Sequence, residues 1–286
     1  MRLLRPPERL SKRNAMPAPK PLTLATWNIN SVRLRMPLLA RLVAEAQPDV
    51  ICLQETKVDD PLFPHEAIAA LGYPHRAANG RKGYHGVAIL SREPFAKVDK
   101  HAWCGKDDGR HLTVRLADGL EIQNYYIPAG GDVPDPAVNE KFAHKLQFLD
   151  EMEALWRKRR GKARERVIVV GDLNVAPHET DVWSHKQLLD VVSHTPAETD
   201  RFKAILAGWD WIDVTRAFVP LEEKIFSWWS YRNQDWKLSD RGRRLDHVWA
   251  SRALEGRIGA HAILRDARDW PQPSDHVPIV VRVERD

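Results

Sequence analysis

Thiol chemistry is nearly absent from this 286-residue chain, which has only two cysteines, Cys52 and Cys104. They lie far apart, and Cys52 sits inside the apolar run DVICLQ. No disulfide framework is expected, which fits a reducing, cytoplasmic setting. No apolar stretch approaches the ~20 residues of a membrane span, so no membrane partner is expected. Residues 1–21 are basic and proline-rich but lack the apolar centre of a secretion signal. They are expected to form a disordered tail, with Met16 as a second candidate start, and residues 22–286 to form a single domain. Other absences exclude whole chemistries. There is no HExxH and no paired CxxC for zinc, no glycine-rich nucleotide loop and no GxSxG elbow for a serine hydrolase. Internal repeats and low-complexity linkers are also missing.

A net charge of +5 suits a polyanionic partner, though only mildly. Eleven tryptophans are present, and most are expected in the core. Trp228 and Trp229 are adjacent, so on a strand they would point to opposite faces. Apolar runs predict strands at 22–27, 49–54, 86–90, 112–116, 120–126, 166–170, 245–250 and 277–283. Helical spacing of Leu34, Leu38, Leu39, Leu42 and Val43 predicts a helix over 33–46. Further helices are expected at 64–71, 136–160 and 199–207. Strands joined partly by helices and partly by short turns favour mixed sheets with helices outside.

The polar residues at the ends of these runs are the informative feature. LTLATW ends in Asn28-Ile29-Asn30, DVICLQ in Glu55-Thr56-Lys57, and RVIVV in Gly171-Asp172-Leu173-Asn174. In the late strands the order is reversed: Asp246 opens LDHVWA, and Ser274-Asp275-His276 precedes VPIVVRV. If the late strands run antiparallel to the early ones, all these groups gather on one rim. An oxygen-rich rim of that kind binds hard cations such as magnesium. A lone histidine beside an aspartate can be held protonated against developing negative charge.

The segments WNIN, LQETK, GVAILSR, NYYIP, GDLNVAP, FSWWSYR, RLDHVWAS and PSDHVPI fall in that order over 27–279. The series resembles the exonuclease III family of abasic-site endonucleases, within the endonuclease/exonuclease/phosphatase superfamily. The resemblance implies a four-layer α/β sandwich of two mixed β-sheets packed face to face. It also implies magnesium-dependent hydrolysis of the DNA backbone, with manganese able to substitute. Double-stranded DNA with abasic sites or 3′ ends is the implied substrate, cut by a monomer.

By the same resemblance Glu55 is the principal metal ligand, with Asn28, Asn30, Asp172, Asn174, Asp275 and His276 near it. Asp172 aligns and deprotonates the attacking water, and Asn174 is expected on the same side of an extended segment. His276 binds phosphate and is oriented by Asp246, and Tyr126 assists at the phosphate, its neighbour Tyr125 facing away. Trp228 lines the pocket for a sugar that has lost its base. Arg33, Lys57, Lys82, Tyr84 and Arg232 are candidate contacts to the DNA backbone. Ser31 departs from the pattern, because glycine often follows the second Asn of WNIN in the family. Two other readings compete. A phosphatase or phospholipase of the superfamily would need a membrane-facing apolar loop or a secretion signal, and neither is seen. An idle scaffold would keep unpaired acids on one rim at a cost.

Overall fold

The computed structural model describes residues 20–160, 164–232 and 235–285. The expected tail at 1–21 therefore lies almost wholly outside the described residues. The first half of the chain runs β1 (Leu22–Asn28), α1 (Met36–Ala46), β2 (Val50–Gln54), α2 (His65–Ala70), β3 (His75–Asn79), β4 (Val87–Ser91), β5 (Phe95–Asp99), β6 (His111–Leu116), β7 (Glu121–Tyr126) and α3 (Glu140–Arg159). The second half runs β8 (Val167–Asp172), α4 (His185–Leu188), α5 (Pro196–Gly208), β9 (Ile212–Asp213), α6 (Val214–Phe218), β10 (Trp228–Trp229), α7 (Trp236–Ser239), β11 (Gly242–Arg243), β12 (Asp246–Ala250), β13 (Ile258–Ile263) and β14 (Ile279–Val283).

Among the described residues, two six-stranded sheets form, ordered β13-β14-β1-β2-β4-β3 and β5-β6-β7-β8-β12-β9. Each has one parallel pair, β1 with β2 and β7 with β8. The late strands β12 and β14 run antiparallel to β8 and β1, as the rim argument requires. Leu24, Cys52 and Ile89 of one sheet share a buried cluster with Ile122, Val170 and Val248 of the other, so the sheets pack face to face. The outer face of the first sheet buries Trp27 and Leu53 against Leu39 and Leu42 of α1. The outer face of the second buries Val169 and Trp249 against Phe148 of α3 and Phe202 of α5. The result is a four-layer α/β sandwich. No helix among the described residues is long and apolar enough to cross a membrane.

Alternation along each strand does more than build this core. In β1, Leu22 and Leu24 face the other sheet while Ala25 and Trp27 face the helices, and the same parity carries Thr26 and Asn28 inward. In β8 it carries Asp172 inward after Ile168 and Val170, and in β12 it puts Asp246 on the same face as Val248 and Ala250. The strands then end together. Tyr126 pairs with Asp172, Asp172 with Asp246, and Asn28 with Gln54. Five polar side chains thus meet at one end of the sandwich, between the sheets.

The strand expectations omit the two-residue strands β9, β10 and β11 and three longer ones, β3, β5 and β13. The longer three are partly exposed strands at or near sheet edges, with short or mixed apolar runs. Helix α1 starts at Met36 rather than residue 33, with Pro37 in its first turn, where a missing N–H costs nothing. Leu34 therefore lies outside the helix and is 55% exposed. Ser31 keeps the turn that glycine would make easily, with φ of 84°. Its N–H donates to the Glu55 carbonyl at 2.7 Å.

Candidate active site

Asn28 is the hub of the strand-end cluster. Its amide nitrogen donates to Asp172 Oδ2 at 2.8 Å and to Glu55 Oε1 at 3.0 Å, and lies 3.4 Å from His276 Nε2. Its own oxygen accepts the Asn30 N–H at 3.1 Å. Glu55 follows β2 in a left-handed conformation, φ 50°, which turns its carboxylate back over the strand end. There it also accepts the Tyr126 hydroxyl at 2.8 Å. Tyr125 points the other way and is buried on the helix side, its hydroxyl donating to Gln123.

Glu55, Asn30 and Asp275 form the more open flank. The Lys57 ammonium sits 2.8 Å from Glu55 Oε2 and 2.6 Å from Asn30 Oδ1, so these oxygens converge on a cation. The Asn30 amide donates to Asp275 Oδ1, and the Trp228 indole to Asp275 Oδ2 at 2.9 Å. Although burial alone would raise it, Lys57 and the Asn28 amide hold the Glu55 carboxyl below its ordinary range. An anionic, oxygen-only donor set of this kind suits a hard divalent cation.

The other flank is buried and centred on His276. His276 Nδ1 lies 2.8 Å from Asp246 Oδ2, and its Nε2 lies 3.6 Å from Asp172 Oδ2. Burial opposes the charge on His276, but Asp246 and Asp172 outweigh it and raise the imidazole well above its usual value. Burial likewise raises the Asp172 carboxyl, with Asp246 adding to it and His276 opposing. Ser227 Oγ donates to Asp246 Oδ2 while receiving the main-chain N–H groups of Leu245 and Asp246. Ligand atoms of Asp172, Asp246 and His276 come within 4.8 Å of one another. That trio could hold a metal only if His276 lost its proton, and two adjacent carboxylates favour the opposite. The cation donors are therefore better placed on the Glu55 flank.

Asn174 enters differently from the expectation of an extended segment. Its backbone is left-handed, φ 53°, so alternation does not carry past the end of β8. Its main-chain N–H holds Asp172 Oδ1 at 3.0 Å, while its side-chain amide donates to the Ile127 carbonyl. Gly171, one residue before Asp172, faces a contact no side chain could make. A Cβ there would lie 1.9 Å from the Tyr125 carbonyl oxygen. The pair of tryptophans divides as the alternation argument requires: Trp229 is fully buried, and Trp228 is half-buried beside Asp275.

Arg33, Lys82, Tyr84 and Arg232 are exposed and stand outside the hydrogen-bonded cluster. Lys57 is drawn into it. Sequence reasoning missed Ser227, which lies inside FSWWSYR, and Ser274, whose hydroxyl ties the Asn28 carbonyl to the His276 N–H. It also missed Asn124, from NYYIP, whose amide bridges to Gln54, Leu53 and Ala88 across the sheets. All three stood in the quoted motifs, but their partners are distant in sequence.

Comparison with known proteins agrees with this geometry. The model of the endonuclease/exonuclease/phosphatase family matches residues 25–276. Exodeoxyribonuclease III of Haemophilus influenzae is 31% identical over 266 residues, covering 89% of this chain and 97% of that one. An exodeoxyribonuclease of Bacillus subtilis is 29% identical, covering 90% and 98%. Among solved structures, an AP endonuclease from Archaeoglobus fulgidus superposes with a TM-score of 0.85 at 31% identity, covering 92% and 99%. The 3′ phosphatase NExo from Neisseria, bound to a product DNA hairpin, does so with 0.83 at 27%, covering 93% and 99%. The chain belongs to the endonuclease/exonuclease/phosphatase family. Within it, the chain is an enzyme of the exonuclease III type.

Proposed function

We propose that this enzyme is a magnesium-dependent DNA repair nuclease that cuts the phosphodiester backbone at abasic sites and processes 3′ ends. It acts as a monomer on double-stranded DNA in the cytoplasm. The observation that carries this reading is the closure of Glu55, Asp172 and the His276–Asp246 pair around the single amide of Asn28.

Each residue then has a task that its surroundings support. Glu55, with Asn30 and Asp275, would hold the cation, and Asn28 orients Glu55. Magnesium or manganese bound there would supply Lewis-acid neutralisation of phosphate charge. Asp172 orients the attacking water and accepts its proton. Its raised affinity for a proton suits a general base working near neutral pH. Two donors, Asn28 Nδ2 and the Asn174 N–H, fix its carboxylate. His276, kept cationic by Asp246, faces the same space and stabilises charge on the phosphate. Tyr126 keeps its proton, because burial and the nearby carboxylates raise its hydroxyl well above the ordinary value. Its hydroxyl donates a hydrogen bond to Glu55 in this structure and is available as a donor to a phosphate oxygen when substrate enters. Trp228 walls a space suited to a sugar without a base, which is cheaper to extrude from the duplex. Arg33, Lys82, Tyr84 and Arg232 are the proposed backbone contacts around it.

The test uses purified protein on a duplex carrying one abasic analogue and on a duplex with a recessed 3′ end, with magnesium, with manganese, and with excess chelator. Incision that requires either ion supports the reading. Full incision in chelator, or none on either substrate with metal, overturns it.

A further inference from the structure

Residues of the 177–180 segment, α4 and the start of α5 enclose a pocket of about 600 Å³. Its walls carry three carboxylates, Glu179, Asp200 and Glu222, against one lysine, Lys203. Two imidazoles meet in it, with His185 Nδ1 lying 2.8 Å from His194 Nε2. None of these side chains belongs to the strand-end cluster.

The far nitrogen of each ring is also engaged. His194 Nδ1 lies 2.6 Å from the Ala176 carbonyl oxygen. A carbonyl can only accept, so Nδ1 carries the proton. Burial lowers the proton affinity of this ring, and the bond to Ala176 only partly restores it, so the ring is neutral. Its Nε2 therefore presents a lone pair, to which His185 Nδ1 donates. On the other side, His185 Nε2 lies 3.6 Å from Glu179 Oε1. Metal sites fix their imidazole ligands in this way, with a carbonyl or carboxylate on the outer nitrogen of each ring. Two nitrogens bound to one tetrahedral ion stand about 3.3 Å apart, so the rings need to open by only about 0.5 Å. On binding, His185 would carry its proton on Nε2, toward Glu179, instead of on Nδ1. Both rings then stay neutral, and each offers its inner nitrogen.

We propose that His185 and His194 form a chelate for a borderline divalent cation such as zinc or nickel, separate from the catalytic ion, with water in its remaining positions. Imidazole nitrogen selects such ions over magnesium, which keeps to oxygen ligands. The pocket has room for the waters, and its excess of carboxylates favours a cation. Among the described residues, no third histidine, cysteine or carboxylate brings a ligand atom close enough to complete a three-residue set here. The site is therefore a two-point clip of micromolar rather than nanomolar strength. It joins two segments that already touch. Ala176, two residues after Asn174, donates its N–H to the Ser193 carbonyl at 2.7 Å, next to His194. An ion that binds only the folded chain raises its melting temperature.

The experiment holds the untagged full chain in excess magnesium and titrates it with zinc(II) and, separately, with nickel(II). Calorimetry reads the binding, and thermal melting reads the effect on the fold. The expected result is an ion bound with micromolar affinity and a raised melting temperature. His185→Gln is the decisive variant, because that side chain is 37% exposed and its replacement leaves the fold in place. It should weaken binding by ~30-fold or more and abolish the rise in melting temperature. Glu55→Ala, which alters the catalytic cluster, should keep both. The absence of binding in excess magnesium, or equal binding by the wild type and His185→Gln, overturns the proposal. Binding lost in Glu55→Ala but kept in His185→Gln overturns it too, since the ion would then sit in the catalytic cluster. Because no arm measures incision, the outcome is independent of the catalytic reading.

Discussion

The Trp228 indole N–H donates to Asp275 Oδ2 at 2.9 Å, which ties the proposed wall of the substrate pocket to a carboxylate of the strand-end cluster. Trp229, its neighbour, is fully buried and donates to Asp240. The two substitutions to alanine should therefore separate. Trp228→Ala should lower abasic-site cleavage and reduce the ratio of activity on abasic over intact duplex, because the wall excludes a base as well as packing a sugar. Trp229→Ala should cost ~3–5 kcal/mol of stability with the ratio unchanged. An unchanged ratio in Trp228→Ala, with a shifted one in Trp229→Ala, would reverse the assignment.

Asp172→Asn should keep the fold and DNA binding but slow turnover by ~10²–10⁴-fold or more, the usual worth of a positioned general base. Single-turnover cleavage beside a binding titration reads both. Near-normal turnover would mean another group activates the water.

Asp246→Asn tests the imidazolium. His276 has its folded-state affinity raised from 6.5 to about 10. Its charge therefore contributes stability that is fully present below about pH 6.5 and is lost as pH climbs toward 10. Without Asp246 the alkaline limb of both stability and kcat should move to lower pH. An alkaline limb that stays in place would show that Asp246 does not hold the proton.

His111 and His247 predict behaviour in acid. Both are fully buried, and desolvation pushes each down to about 3. The unfolded chain takes up these protons near pH 6.5 while the folded one refuses them. Stability should fall as pH drops from 6.5 toward 3, by ~1.4 kcal/mol per pH unit for each histidine. Asp172, raised to about 7, works in the opposite sense between 7 and its ordinary 3.8 and removes part of the slope. Urea midpoints at pH 7 and pH 5 should differ in favour of pH 7, and His247→Gln should narrow the gap. A gap that His247→Gln leaves unchanged would mean that other groups set the acid slope.

Binding to DNA should weaken steeply with added salt, as expected when several Lys and Arg release counterions from phosphates. A flat response between low and physiological salt would contradict a basic face that neutralises the backbone.

How legible the site was in the sequence depended on alternation. Asn28, Asp172 and Asp246 each close or open an apolar run, and parity alone puts them on the face between the sheets. Tyr125 and Tyr126 separated correctly for the same reason. Where the chain leaves the strand, parity gives out. Asn174 turns left-handed, and Ser31 adopts a backbone that side chains seldom take. The roles of Ser227, Ser274 and Asn124 depend on partners up to 246 residues away, which no local pattern reveals. The edge strand β5 is mostly exposed, so it has little apolar periodicity to read.

The order of strands in the first sheet has a consequence for synthesis. That sheet is built from both ends of the chain, with β14 inserted between β13 and β1. The second sheet comes wholly from the middle. A chain emerging from the ribosome can complete its middle sheet, with Tyr126, Asp172 and Asp246 in place, while β1, already beside β2, still lacks β14 on its other side. Asp275 and His276 arrive only with the last strand. Chains made only as far as β13 should therefore be inert toward DNA, and the ability to cut should appear abruptly once β14 pairs with β1.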